Sequence, residues 1–137
     1  MKVTALYNQI EEETEPKINL IVRSYDKIIE LLNEAAEKTE FKDYEAKGQI
    51  LSRVIEIISE LMAALNFKDG KQIAIGLHNI YLFALNQIME AHKKNDSKAL
   101  RDVASIFKDI NEAWKEVARR YFQKNIQKEE LTAYARF

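Results

Sequence analysis

Four stretches of this chain repeat apolar residues at spacings of three and four, and they are broken only where Asn, Asp and Gly gather. That period is the signature of helices with one buried face. The first stretch starts at Thr14 and Pro16, a capping hydroxyl ahead of a residue with fixed φ, and runs to about Lys38. Its stripe is Ile18, Ile21, Tyr25, Ile28 with Ile29 beside it, Leu32 and Ala35. The second covers 43–66, with Asp43 as N-cap and a stripe of Leu51, Val54, Ile58, Leu61 and Leu65. The sequence Asn-Phe-Lys-Asp-Gly at 66–70 is turn chemistry, and the third helix follows over 69–94 on Ile73, Leu77, Ile80, Ala84 and Ile88. Asp96 opens the fourth, with Leu100, Val103, Phe107, Ile110, Trp114, Val117 and Tyr121. Short connections favour antiparallel neighbours. The expectation is an all-α, antiparallel up-down four-helix bundle. A short N-terminal arm (1–15) precedes the bundle (16–121), and a C-terminal helical extension or tail (122–137) follows it.

The two middle helices carry more apolar surface than one core can use. Beside the second stripe run Ile50, Ile57 and Ala64 on one flank, with Ile55 and Met62 on the other. In the third helix Ile75, Leu82 and Met89 follow a separate face at intervals of seven. Either neighbouring helices cover these flanks, or the surplus meets a partner. Leu6 and Tyr7 of the arm precede Ile10 by four and three residues, a spacing that could lay one face over the same surface.

Composition removes several function classes. With 137 residues the chain suits one domain, which buries roughly two-thirds of the surface its unfolded form exposes. A net charge of −1 argues against nucleic acid as the main ligand. Cysteine is absent, so disulfides, thiolate metal sites and cysteine nucleophiles are excluded. Neither a secretory signal nor a membrane span is visible, and cytoplasmic placement without membrane insertion is the expectation. His78 and His92 have no Glu three positions before them, so the bundle-type carboxylate metal site is missing. His78 reads as a core or boundary residue. Glu11–Glu13 and Glu129–Glu130 read as solvated charge. No phosphate loop, nucleophile elbow or zinc-protease motif occurs, so neither an enzyme nor a cofactor is expected. Tyr25 needs a hydroxyl partner at the bundle edge, Asp26 reads as a surface acid, and Trp114 fills space between the first and fourth helices.

Several of these segments together resemble one family. Pro16-Lys17 and then Ser24-Tyr25-Asp26 are similar to a Pro-x-x-(Leu/Ile) start and a Leu-Tyr-Asp signature, with Ser24 in place of the Leu. Ile57-Ile58-Ser59-Glu60-Leu61-Met62-Ala63-Ala64-Leu65-Asn66-Phe67 resembles an I-I-x-E-L-x-x-x-L-D-F helix end. Gly70 through Ile75, then Leu77, Tyr81 and Leu85, resemble a G-x-x-I-A-x-x-L helix, and Asn95-Asp96 and Ala113-Trp114 fit its later landmarks. The order and spacing resemble the flagellar secretion chaperone family FliS, over roughly residues 7–117. The resemblance implies a cytoplasmic chaperone that binds the disordered C-terminal segment of flagellin, prevents premature polymerisation and works with the flagellar export apparatus. On that reading Leu6, Tyr7, Ile10, Ile55, Ile58, Met62, Leu65, Ile75, Leu82 and Met89 are the partner-binding residues. The competing expectation is a helical homodimeric structural protein, whose surplus faces pair with a second copy and hold no flagellin.

Overall fold

The computed structural model describes residues 14–122, with side chains from Lys17 to Arg120. They form four helices: α1 Thr14–Glu40, α2 Tyr44–Ala63, α3 Phe67–Lys94 and α4 Ser97–Phe122. Each packs on its neighbours in chain order, and α4 returns to α1 to close the ring, the α1–α4 contact being the most extensive. The bundle is all-α and up-down, as the stripes and short connections predict.

The corners are local chemistry. At the end of α1, Lys42 turns left-handed (φ 61°). Its amide donates to the Thr39 carbonyl at 3.0 Å, and Asp43 donates to Lys38 at 2.8 Å. This 6→1 and 5→2 pair of bonds satisfies the last carbonyls of the helix. Asp43 then starts α2 by accepting from the Ala46 amide at 3.2 Å. The corner after α3 repeats the device, with Asn95 left-handed (φ 51°) and Asp96 accepting from Ala99 at 3.0 Å. Between α2 and α3 the cap is Asn66, which accepts from Asp69 at 3.1 Å. Lys71 (φ 48°, ψ −121°) then sets the first turn of α3 off from the rest. So the expected turn at 66–70 is taken into the first turn of the helix ahead of a kink at Lys71, and the helix begins two residues before the expected start at 69.

The core confirms α1 and corrects the phase of two other helices. Ile18, Ile21, Tyr25, Ile28, Leu32 and Ala35 are all buried. In α2 the inward residues are Leu51, Val54, Ile57 and Ile58, whereas Leu61 is only half-buried. In α3 they are Ala74, Leu77, Tyr81, Ala84, Ile88 and Ala91, with Ile73 and Ile80 half-buried. Leu77, Ala84 and Ile88 keep their expected places, but Tyr81 and not Ile80 turns inward because it has a partner at the centre. Its hydroxyl meets that of Tyr25 at 2.6 Å. Phe107 of α4 lies against both rings, edge-on to Tyr25 at 5.2 Å and stacked with Tyr81 at 6.3 Å. Tyr25 therefore finds its partner inside the core and not at the bundle edge, with Trp114 also in hydrogen-bonding reach. An aromatic group from three helices fills the middle, where each buried side chain of this size contributes roughly 1.5–3 kcal/mol.

Asp26 is more than a surface acid. Asn111 of α4 is buried and donates to its carboxylate at 2.9 Å and to the Val22 carbonyl at 3.3 Å. Lys115 stands 3.6 Å away. Arg101 and Glu40 clamp the other end of the α1–α4 seam at 2.9 Å. These exposed ion pairs add little stability but fix register.

Candidate partner-binding groove

α2 and α3 meet along positions that recur every seven residues, which is nearly two helical turns. Gly48, Ile55 and Met62 share one face of α2, and His78, Leu85 and His92 share one face of α3. A methyl group at Gly48 would lie 3.8 Å from Cε1 of His92, so the two faces oppose one another at that end. Ile55, Met62 and Leu85 are half-buried and pack against the core.

Lys47 fastens the Gly48 end. It is buried, and its ammonium donates to the His92 carbonyl at 3.0 Å and to the side-chain oxygen of Asn95. It also lies 5.2 Å from the centre of the Tyr44 ring. A cation at the C-terminus of α3 suits the helix dipole. Burial lowers the Lys47 pKa. Nδ1 of His92 is buried with no hydrogen-bond partner among the described residues. Burial first, and the Lys47 charge second, hold His92 below the usual imidazole range.

Just outside this seam lies surface that no described helix covers. Ile75, Leu82 and Met89 each precede a seam residue of α3 by three positions, which turns them about 60° outward. They are 44%, 42% and 48% exposed. The facing edge of α2 carries Ser52, Ser59 and Ala63, small and exposed. The result is a groove with a floor of Ile55, Met62 and Leu85, a tall apolar wall on α3 and a low wall on α2. An amphipathic helix is the shape such a groove accepts.

The residues singled out in the sequence fall into five groups. Ile75, Leu82 and Met89 form the exposed wall, and Ile55 and Met62 the half-buried floor. Leu65 is half-buried beyond the end of α2 and packs on the core. Ile58 is a correction: it is wholly buried, so it holds the core and no partner reaches it in this state. Leu6, Tyr7 and Ile10 lie outside the described residues, as do most of the expected arm and tail.

Two exposed aromatic residues of α3 were not among them. Phe67 is 49% exposed and packs edge-on to His78 at 5.5 Å, extending the groove towards the kink at Lys71. Phe83 is exposed on the other side of α3. The run Tyr81-Leu82-Phe83-Ala84-Leu85 carries the signal for the second, since one helix face cannot bury five consecutive apolar side chains. Phe67 gives no such signal, because it sits inside a turn sequence.

Comparison with known proteins places this chain in a family. The family model described as "Flagellar protein FliS" matches residues 2–121. A protein of Vibrio cholerae named "Flagellar secretion chaperone FliS" is 39% identical over 75 residues, 55% of this chain and 55% of its own length. A namesake from Salmonella typhimurium is 35% identical over 77 residues, 56% of this chain and 57% of its own length. Over those alignments the chain spans little more than half of each relative. The Escherichia coli protein of that name is 26% identical over 120 residues, 84% of this chain and 88% of its own length. An all-helical bundle matched over nearly its whole described length, with landmarks in the same order, leaves one assignment: this chain belongs to the FliS family of flagellar secretion chaperones.

Proposed function

We propose that this chain is a cytoplasmic export chaperone that holds the disordered C-terminal segment of flagellin, prevents its premature polymerisation and passes it to the flagellar export apparatus. The uncovered wall of Ile75, Leu82 and Met89 beside the α2–α3 seam carries the reading. A segment that folds only on binding loses entropy as it orders, so it needs a long apolar contact for useful affinity. A groove running along two helices provides that length.

The reading includes no catalysis. Among the described residues no three His, Asp or Glu side chains gather where a metal could be held, and no helix is long and apolar enough to cross a membrane. The relatives are named as chaperones.

Titration calorimetry with a peptide of the flagellin C-terminal segment tests the proposal. Replacing Ile75 and Leu82 with Glu should leave folding within about 0.5 kcal/mol, because both are exposed. Peptide binding should weaken at least tenfold, about 1.4 kcal/mol, because a client helix would desolvate the new charges. Unchanged binding by this variant would sink the groove assignment. Absence of peptide binding, together with a stable dimer that the same substitutions dissociate, would favour the homodimer instead.

A further inference from the structure

The outer surface of α3 differs from that of the other helices. From Gln72 through Met89 the sequence contains no Asp, Glu, Lys or Arg, over roughly 27 Å of helix. On α4, by contrast, the exposed side carries Lys98, Asp102, Lys108, Asp109, Glu112 and Glu116. The crest of α3 is a line of exposed amides, Gln72, Asn79 and Asn86, one every seven residues. The apolar wall of Ile75, Leu82 and Met89 flanks it on one side. Gly76 and Phe83, again seven apart and both exposed, flank it on the other. Charge on an exposed helix face aids solubility and adds i,i+4 pairing, whereas charge beneath a partner is costly to desolvate. The pattern therefore fits a surface that is covered in use.

Gly76 is a second, separate observation. Glycine is the poorest helix former after proline. Its backbone here does not have a positive φ, and a Cβ at this position would meet nothing within 4 Å. The fold of this chain has no need of a missing side chain there. What the absence supplies is room for another backbone, as small residues do where helices cross closely.

We propose that the crest of α3 seats a client helix whose contact face is uncharged, apolar residues flanked by amide or hydroxyl groups, with Gly76 at the closest approach of the two backbones. This rests on the client-binding reading above: Gly76 is about 180° round α3 from Leu85 of the groove floor, so the crest is a second contact face for the same client, beyond the groove wall. A charged client is excluded by the same reasoning, since nothing along this crest would pair with it.

The test uses the full chain and the flagellin C-terminal peptide, with melting followed in parallel. Gly76→Ala should raise the melting temperature by roughly 3 °C, through helix propensity alone. The same substitution should weaken peptide binding at least fivefold, a division that a purely structural glycine would not give. Asn79→Asp and Asn79→Lys should both weaken binding at least fivefold. For the unaltered chain, Kd should change less than about twofold between low and high salt. If one sign of charge at position 79 tightens binding, the client face is charged and the inference falls. Normal binding by Gly76→Ala overturns the close approach. If the unaltered chain does not bind the peptide, the export reading fails first and takes the inference with it.

Discussion

The hydroxyls of Tyr25 and Tyr81 meet at 2.6 Å inside the bundle, linking α1 to α3 across the ring and not between packed neighbours. Burial raises the pKa of both phenols, so neither ionises in the physiological range. Tyr25→Phe should cost about 1–3 kcal/mol, because it strands the buried Tyr81 hydroxyl. Tyr81→Phe should cost less, since Tyr25 keeps Trp114 in reach. The double Phe variant should cost clearly less than the sum. Urea melts of the four proteins form a double-mutant cycle, and strict additivity would mean that the two hydroxyls are not coupled.

Core depth separates two neighbouring positions of α2. Ile58 is fully buried and Leu61 half-buried. Ile58→Ala should destabilise by about 2–5 kcal/mol, the range for deleting a buried aliphatic side chain. Leu61→Ala should cost about half as much or less. If the order is reversed in denaturant melts, α2 is rotated from the phase described here.

Acid should loosen the α2–α3 seam through His92. Its pKa in the folded protein lies below 6.5, so the unfolded chain binds the proton more readily. Stability is then fully present above the unfolded value and is lost as pH falls below it. Lys47 faces His92 from α2, and Lys93, Lys94 and Glu90 flank it on α3. The carboxylates Glu40, Glu90 and Glu116 also have lowered pKa values and add their loss only at more acidic pH. The fall in stability between about pH 6.5 and 5 should therefore shrink in His92→Gln. Thermal melts across that interval would show it, and an identical slope in the variant would remove His92 from the account.

The corner after α1 holds a lysine where glycine is the usual choice. Lys42 is exposed and left-handed at φ 61°. A residue with a Cβ is strained there by about 1–2 kcal/mol. Lys42→Gly relieves that strain, although the unfolded chain gains freedom, and the net effect should be about 0.5–1 kcal/mol of added stability. A loss of stability would show that the lysine side chain has a role at the corner.

How much of this was legible in the sequence differs by scale. The number of helices, their connections and the caps at Asp43 and Asp96 are local matters. Hydrogen bonds between residues three to five positions apart settle them, so the order of residues suffices. The inward face of α1 was equally readable, because its apolar positions form one stripe with little competition. α2 and α3 carry too many apolar residues for periodicity to choose a face. Tertiary structure chose Ile57 over Leu61, and Ala74 and Tyr81 over Ile73 and Ile80. A pattern that ranks isoleucine above alanine and tyrosine misses this, since the choice depends on partners far along the chain: Tyr25 for the Tyr81 hydroxyl, and the end of α3 for the Lys47 ammonium. The sequence alone determined that apolar surface would be left over. Only the packed bundle decided which side chains were left, because exposure is what remains after every helix has turned its best-fitting face inward.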